Sequence, residues 1–176
     1  MTGADIRDSY KKTARANVYV DEPWEPLYPF GYGLSYTTFN LTNFHATILT
    51  PSPSSPNTTS ITTSSFTNNS IISFQVTLTN NGSLTGSYVP QVYLLSRVSQ
   101  ITPPNKKLVA FTRVYLEAGE SREVEISLEV DRYLPVLGRN WEWVLEKGEY
   151  IFVIADNAGF DYEEEGVWGN VTLTCV

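Results

Sequence analysis

Residues 72–79, ISFQVTLT, alternate strictly between apolar and polar side chains. Residues 122–130, REVEISLEV, repeat the pattern with acidic residues in most of the polar positions. The apolar sets are Ile72, Phe74, Val76 and Leu78 in the first stretch, and Val124, Ile126, Leu128 and Val130 in the second. A period of two predicts strands with one face on a core and the other in water, as antiparallel sheets allow.

Weaker strand patterns lie on both sides of these two stretches. They span residues 39–49, 88–98, 108–116, 141–145, 150–155 and 171–176. Turn signals occur at 80–83 (NNGS), 117–120 (EAGE) and 146–149 (EKGE), and we expect the last two to close hairpins. Pro90 lies inside one strand pattern, which predicts a sheet edge or a bulge there. We therefore predict an all-β chain, a fibronectin type III/immunoglobulin-like antiparallel β-sandwich of about seven strands.

The composition divides the chain into three parts. Residues 1–27 are charged and without a period, and we interpret them as the remnant of a preceding domain or a linker. Residues 28–39, YPFGYGLSYTTF, are dense in aromatic residues and glycine, and residues 40–176 carry the sandwich. Within the sandwich, residues 50–69 are rich in Ser, Thr, Pro and Asn and predict a flexible loop.

The charge and the rare residue types exclude several functions. The net charge of −7 over 176 residues argues against nucleic acid or an anionic membrane as a partner. One cysteine, Cys175, allows no internal disulfide, and one histidine, His45, allows no multi-histidine metal site, so we assign His45 a structural role. We expect no catalytic residue, no metal and no cofactor.

Two groups of residues leave alternatives open. Asp156, Asp161 and Glu163–Glu165 are either calcium ligands or, as we favour, a solvated charged loop, because their spacing does not fit an EF-hand. Trp141 and Trp143 are either a platform for stacking on a sugar or core residues, and we favour the core.

Five Asn-x-Ser/Thr sequons are candidates for N-glycosylation, and they begin at Asn40, Asn57, Asn68, Asn81 and Asn170. Chance alone would give about two or three, so the mild excess indicates a secreted ancestry. Residues 1–15 are polar and charged, and we therefore expect no signal peptide.

The aromatic segment predicts an inter-domain joint. Its residues are Tyr28, Pro29, Phe30, Gly31, Tyr32, Gly33, Leu34 and Tyr36. The rings offer large areas with polar tips, and Gly31 and Gly33 permit unusual backbone angles or close approach of another segment. The alternative is a loop folded back on its own sandwich.

The same stretch resembles the junction motif of family 3 glycoside hydrolases, the β-glucosidases and β-xylosidases. In that family the motif leads into a C-terminal fibronectin type III-like domain. Further stretches agree in order, and they are Asn80-Asn81-Gly82 with Gly86, Lys107-Leu108, Phe111-Thr112-Arg113-Val114, Glu117–Ser121 and Glu146–Tyr150. The resemblance covers residues 25–176.

The resemblance implies that both catalytic carboxylates lie upstream of the junction, in the family's first two domains. We therefore expect this chain to be no enzyme by itself. It would be a structural accessory domain whose partners are the catalytic domains of a secreted parent glycosidase. The alternative is a carbohydrate-binding module that uses surface Trp and Tyr side chains.

Overall fold

The computed structural model describes residues 26–50, 59–61, 64–95, 99, 104–160 and 167–176. In chain order the strands are β1 (Phe39–Thr50), β2 (Thr59–Ile61), β3 (Ser65–Phe66), β4 (Ile71–Asn80), β5 (Gly86–Tyr88), β6 (Gln91–Leu95), β7 (Lys107–Phe111), β8 (Val114–Leu116), β9 (Ser121–Glu129), β10 (Val136–Leu137), β11 (Trp143–Val144), β12 (Gly148–Ala155) and β13 (Val167–Cys175). One short helix, α1 (Val130–Tyr133), follows β9. The described part of the chain is all-β, as predicted.

Two main sheets form the sandwich. The first has the order β2-β1-β4-β9 and is antiparallel throughout. The second has the order β3-β13-β12-β6-β7, in which the β3–β13 pair is parallel and the others are antiparallel. Two small sheets, β5–β8 and β10–β11, complete the described strands.

The core lies between the two main sheets. Phe74 of β4 packs against Phe44 of β1 and against Phe152 of β12, with ring centroids 5.8 and 5.1 Å apart. The alternation predicted for residues 72–79 and 122–130 is confirmed, because all eight apolar side chains are buried. One polar residue breaks the rule, since Ser73 is also buried and donates a hydrogen bond to Glu125 at 2.5 Å.

A second apolar layer covers the outer face of the second sheet. Its buried members are Tyr93, Leu95, Ile151, Val153, Ala155 and Phe160. The Nζ of Lys106 lies 4.1 Å from the centre of the Phe160 ring. Consequently β6 and the end of β12 are buried on both faces, which is why they show no alternation.

Two predicted strands are each divided in two. Residues 88–98 were expected to form one strand, but the chain breaks at Val89 and Pro90, between β5 and β6. Residues 108–116 divide likewise between β7 and β8. Because β6 pairs with β7 and β5 with β8, the two segments form one antiparallel pair that bends from one sheet into another. Pro90 therefore marks the bend, where its missing N–H costs no ladder bond, and not a sheet edge or a bulge. These divisions raise the strand count above seven.

Neither of the two predicted hairpins forms. The Glu117–Glu120 turn exists, with Glu120 N donating to Glu117 O at 3.1 Å, but it joins β8 and β9 of different sheets. Residues 146–149 do not pair β11 with β12, because β11 pairs back onto β10. The predicted strand over 141–145 shrinks to Trp143–Val144. Turn residues determine a local bend in the chain. The strand with which each strand pairs depends instead on where its apolar face can be buried.

The described part of residues 50–69, predicted as one flexible loop, contains two short strands. β2 pairs with β1, and β3 pairs with β13. Phe66 is the reason for the second pairing, because its buried ring packs edge-on against Tyr150 at 5.3 Å between ring centres. Burial of such a side chain contributes about 1.5–3 kcal/mol toward the cost of ordering the backbone around it.

Candidate functional site

The backbone of the aromatic segment is fastened to the outer face of the second sheet. Phe30 O accepts a hydrogen bond from Ala158 N at 2.8 Å, and Gly31 O accepts one from Gln91 Nε2 at 3.1 Å. Tyr93 donates its hydroxyl to Gln91 Oε1 at 2.7 Å, so the Gln91 amide is held in one orientation. Gln91 and Tyr93 are both buried, and burial raises the pKa of Tyr93 to about 12.

Gly31 fits this attachment because it has no side chain. Its φ is +83°, and a Cβ there would lie 2.2 Å from Gln91 Oε1 and 2.8 Å from the Tyr93 hydroxyl. Gly33 differs, because its φ is not positive and a Cβ there would meet nothing within 4 Å. Within this chain, both the unusual backbone angle and the close approach of another segment are therefore seen at Gly31, and neither is seen at Gly33.

A second attachment lies at the end of the aromatic segment and centres on Asn80, which is fully buried. Its Oδ1 accepts hydrogen bonds from Thr37 Oγ1 at 2.7 Å and Gly82 N at 3.1 Å. Its Nδ2 donates to Leu84 O at 2.8 Å and to Leu116 O at 3.4 Å. One amide therefore joins the aromatic segment, the 80–84 turn and β8.

The large side chains of the segment point away from the sandwich. Their exposed fractions run from 45% for Tyr32 to 96% for Tyr36, with Tyr28, Phe30 and Leu34 between these values. Tyr28 and Tyr32 contact each other, with ring centres 5.0 Å apart, and Pro29 is half-buried against Gly159. The segment is thus folded back through its backbone while its apolar side chains stay uncovered. We call this set of exposed side chains the junction face.

Asp156 lies beside the junction face and is engaged within the fold. Its Oδ1 accepts hydrogen bonds from Trp168 Nε1 at 2.8 Å and from the Tyr88 hydroxyl. Burial, reinforced by the Asp156 hydrogen bond, raises the pKa of Tyr88 well above its usual value. Asp161 and Glu163–Glu165, the other candidate calcium ligands, lie outside the described residues. Within the described ranges no three His, Cys, Asp or Glu side chains are grouped to hold a metal ion.

Trp141 and Trp143 are both exposed, at 83% and 73%. The favoured core interpretation is therefore wrong. They also do not share one strand face, because Trp141 lies in the loop between β10 and β11 with a φ of +63°. The strand β11 has only two residues and lies in a small ribbon, so its side chains project into solvent. The sequence around Trp141 and Trp143 contains no sign of this exposure.

The remaining predicted residues are placed as follows. His45 is exposed and Cys175 is buried as a free thiol. Asn68, Asn81 and Asn170 are exposed, Asn40 is half-buried, and Asn57 lies outside the described residues. In the part of the chain that the structure describes, no helix is long and apolar enough to cross a membrane.

Sequence reasoning missed Gln91, Tyr93 and Asn80 as anchors of the segment. Gln91 is a polar residue at the start of an otherwise apolar strand, and Asn80 ends the alternating strand β4 at a position where the alternation calls for an apolar residue. A polar residue in such a place is the only local sign that a buried hydrogen bond is required.

The comparisons agree with the fold. Residues 88–158 match the family model of the fibronectin type III-like domain. The chain therefore contains a β-sandwich of the fibronectin type III-like class.

The resemblance to family 3 glycoside hydrolases is also confirmed, because the similar proteins are β-glucosidases. A probable β-glucosidase I of Aspergillus niger is 32% identical over 156 residues, which are 85% of this chain and 16% of the relative. A periplasmic β-glucosidase of Salmonella typhimurium is 31% identical over 141 residues, 80% of this chain and 16% of the relative. The crystal structure of a β-glucosidase from Listeria innocua in complex with glucose matches 96% of this chain and 20% of its own, with a TM-score of 0.70 and 26% identity. The chain thus spans about a sixth of the length of the relatives it matches.

Proposed function

We propose that this chain is the non-catalytic accessory domain of a β-glucosidase-type glycoside hydrolase, and that it docks on the catalytic domains through the junction face. The observation that carries the proposal is the division within one segment between an anchored backbone and exposed apolar side chains. A loop belonging only to its own sandwich would bury such rings. A joint needs a fixed backbone and rings free for the partner.

Docking would bury the large apolar side chains of the junction face, which favours association of the domains. Each large apolar side chain moved out of water contributes about 1.5–3 kcal/mol before the cost of association. Phe111 extends the same surface. It is exposed and lies opposite Gln91 in the β6–β7 register, so the two side chains share one face of the sheet.

The first test concerns activity. The purified chain is expected to release no nitrophenol from p-nitrophenyl β-D-glucoside or β-D-xyloside, because the resemblance assigns both catalytic carboxylates to other domains. Turnover by this chain that a carboxylate-to-amide substitution within it abolishes would contradict the proposal.

The second test concerns docking. The test uses a hybrid enzyme, in which this chain replaces the matching 20% of the Listeria innocua β-glucosidase. Substituting serine for Tyr28, Phe30, Leu34 and Tyr36 in that hybrid is expected to lower its Tm by at least about 4 °C. The same substitutions in the isolated chain should leave its Tm unchanged, since these side chains are exposed there. Serine at Leu84 and Tyr115, which are also exposed, is the matched control in both proteins. Equal Tm values for the hybrid and its serine variant would count against a docking role.

We further propose that the parent enzyme is exported from the cytoplasm, as the name of the periplasmic relative and the five sequons suggest. When the chain is produced through a yeast secretory pathway, we expect glycans at Asn68, Asn81 and Asn170, whose side chains are exposed. Mass spectrometry before and after peptide-N-glycosidase treatment measures this, with Asn-to-Gln variants as controls. Secreted protein without a glycan at any of the three positions would refute the glycosylation.

A further inference from the structure

The loop over residues 156–160, which follows β12, carries part of the attachment of the aromatic segment. Ala158 N donates a hydrogen bond to Phe30 O at 2.8 Å. Gly159 lies so close to Pro29 that a Cβ on the glycine would be 2.8 Å from Pro29 Cγ. The loop forms neither a helix nor a strand, so no ladder of backbone hydrogen bonds fixes it. The position of the aromatic segment therefore depends on the side chains that hold this loop.

The start of the loop is held by Gln91. Its Nε2 donates to Asp156 O at 2.5 Å, in addition to the bond that it makes to Gly31 O. This contact reaches only the first residue of the loop. The loop residues that contact Phe30 and Pro29 come two and three positions later, so they need a support of their own.

Lys106 supplies that support. Its Nζ donates hydrogen bonds to Ala158 O at 2.9 Å and to Phe160 O. The same ammonium group lies 4.1 Å from the centre of the Phe160 ring, which is buried and packs edge-on against Tyr93. A charged donor makes stronger hydrogen bonds than a neutral one, and its attraction to the face of the ring adds to them. One side chain thus binds the end of the loop through two carbonyl groups and one ring.

Ala158 connects Lys106 with the aromatic segment, because it is bonded on both sides. Its carbonyl accepts from Lys106, and its N–H donates to Phe30 O. Without the ammonium group, both loop carbonyls would lose this donor and would turn toward water. A turn of the Ala158 carbonyl would redirect the chain at Gly159, so the contact with Pro29 and the bond to Phe30 would loosen together.

We propose that Lys106 is a positioning residue of the junction face. Its ammonium group fixes the 156–160 loop on the second sheet, and the loop fixes Phe30 and the neighbouring side chains in the arrangement that docks. The inference rests on the docking function proposed above. The fixing itself is a property of the isolated chain, and it is tested there.

NMR relaxation of the backbone amides in the intact chain measures the effect of Lys106→Met, which keeps an apolar stem and removes the ammonium group. We expect the order parameters at Phe30 and Gly31 to fall from about 0.85 to about 0.6 or lower. The amide of Phe152, in the middle of β12, should stay at about 0.85 and shows that the variant is folded. A loss of global stability alone would not make the aromatic segment mobile in the folded protein.

Lys107→Met is the matched control. Lys107 is the next residue, and its Nζ also donates to a backbone carbonyl, that of Tyr133 at 2.6 Å, which is not part of the loop. This variant should leave the order parameters at Phe30 and Gly31 unchanged. Lys106→Leu is a second variant without the ammonium group, with the same expected result as Lys106→Met if the methionine variant does not fold.

Unchanged order parameters at Phe30 and Gly31 in a folded Lys106 variant would overturn the proposal, as would an equal loss in Lys107→Met. The outcome is separate from that of the docking experiment. If the serine variant of the hybrid has an unchanged Tm while Lys106→Met makes Phe30 mobile, docking fails and the fixing by Lys106 stands. The opposite pair of results would leave docking in place and remove the role of Lys106.

Discussion

Replacing Asn80 with alanine is expected to lower the free energy of unfolding by about 3–5 kcal/mol, a large effect for one polar residue. The side chain is fully buried and makes four hydrogen bonds. Alanine would leave Gly82 N and the carbonyls of Leu84 and Leu116 without those partners. Each buried polar group that loses its partner costs about 1–3 kcal/mol.

Urea unfolding followed by tryptophan fluorescence measures this loss. Asn81→Ala is the matched control, because Asn81 is the next residue in the same turn and its side chain is exposed. It should change the free energy of unfolding by less than about 0.5 kcal/mol. Similar midpoints for the two variants would show that the Asn80 amide does not hold these segments together.

Phe74→Ala is expected to cost about 3–5 kcal/mol of unfolding free energy. Its ring lies at the centre of the sandwich between Phe44 of the same sheet and Phe152 of the facing sheet. Alanine would leave a cavity that the two sheets cannot close without moving together. The lost contacts and the residual space both contribute to the cost.

Phe111→Ala removes the same atoms from an exposed site and is the matched control for Phe74. In the isolated chain it should stay within about 0.5 kcal/mol of the unchanged protein. Thermal and urea unfolding of both variants decide the matter. Comparable losses at the two positions would mean that the core is not centred on Phe74.

The alternation of apolar and polar residues predicts those strands that have one solvent-exposed face. β4 and β9 alternate because their outer faces meet water, and their apolar sets are buried as expected. β6 and the end of β12 carry apolar residues on both faces, since a second layer around Phe160 covers the outside of their sheet. No local period distinguishes such a strand from its neighbours.

The anchors of the junction face depend on contacts that are distant in sequence. Gln91 reaches Gly31 across 60 positions, and Asn80 reaches Thr37 across 43. The composition of residues 28–36 indicates a joint, but it does not say which side chains fasten it. The core position predicted for Trp141 and Trp143 is wrong for a related reason. Their exposure follows from the pairing of β11 with β10, which the sequence near them does not indicate.

The parallel pairing of β3 with β13 has a consequence for how the domain assembles. Thr174 pairs with Ser65, so two parts of the chain separated by more than half its length must meet before the second sheet is complete. Without β13, the edge of β12 would be open along the apolar run from Ile151 to Ala155. An open apolar edge is a template for pairing with other chains. The last strand therefore protects against aggregation as well as closing the fold.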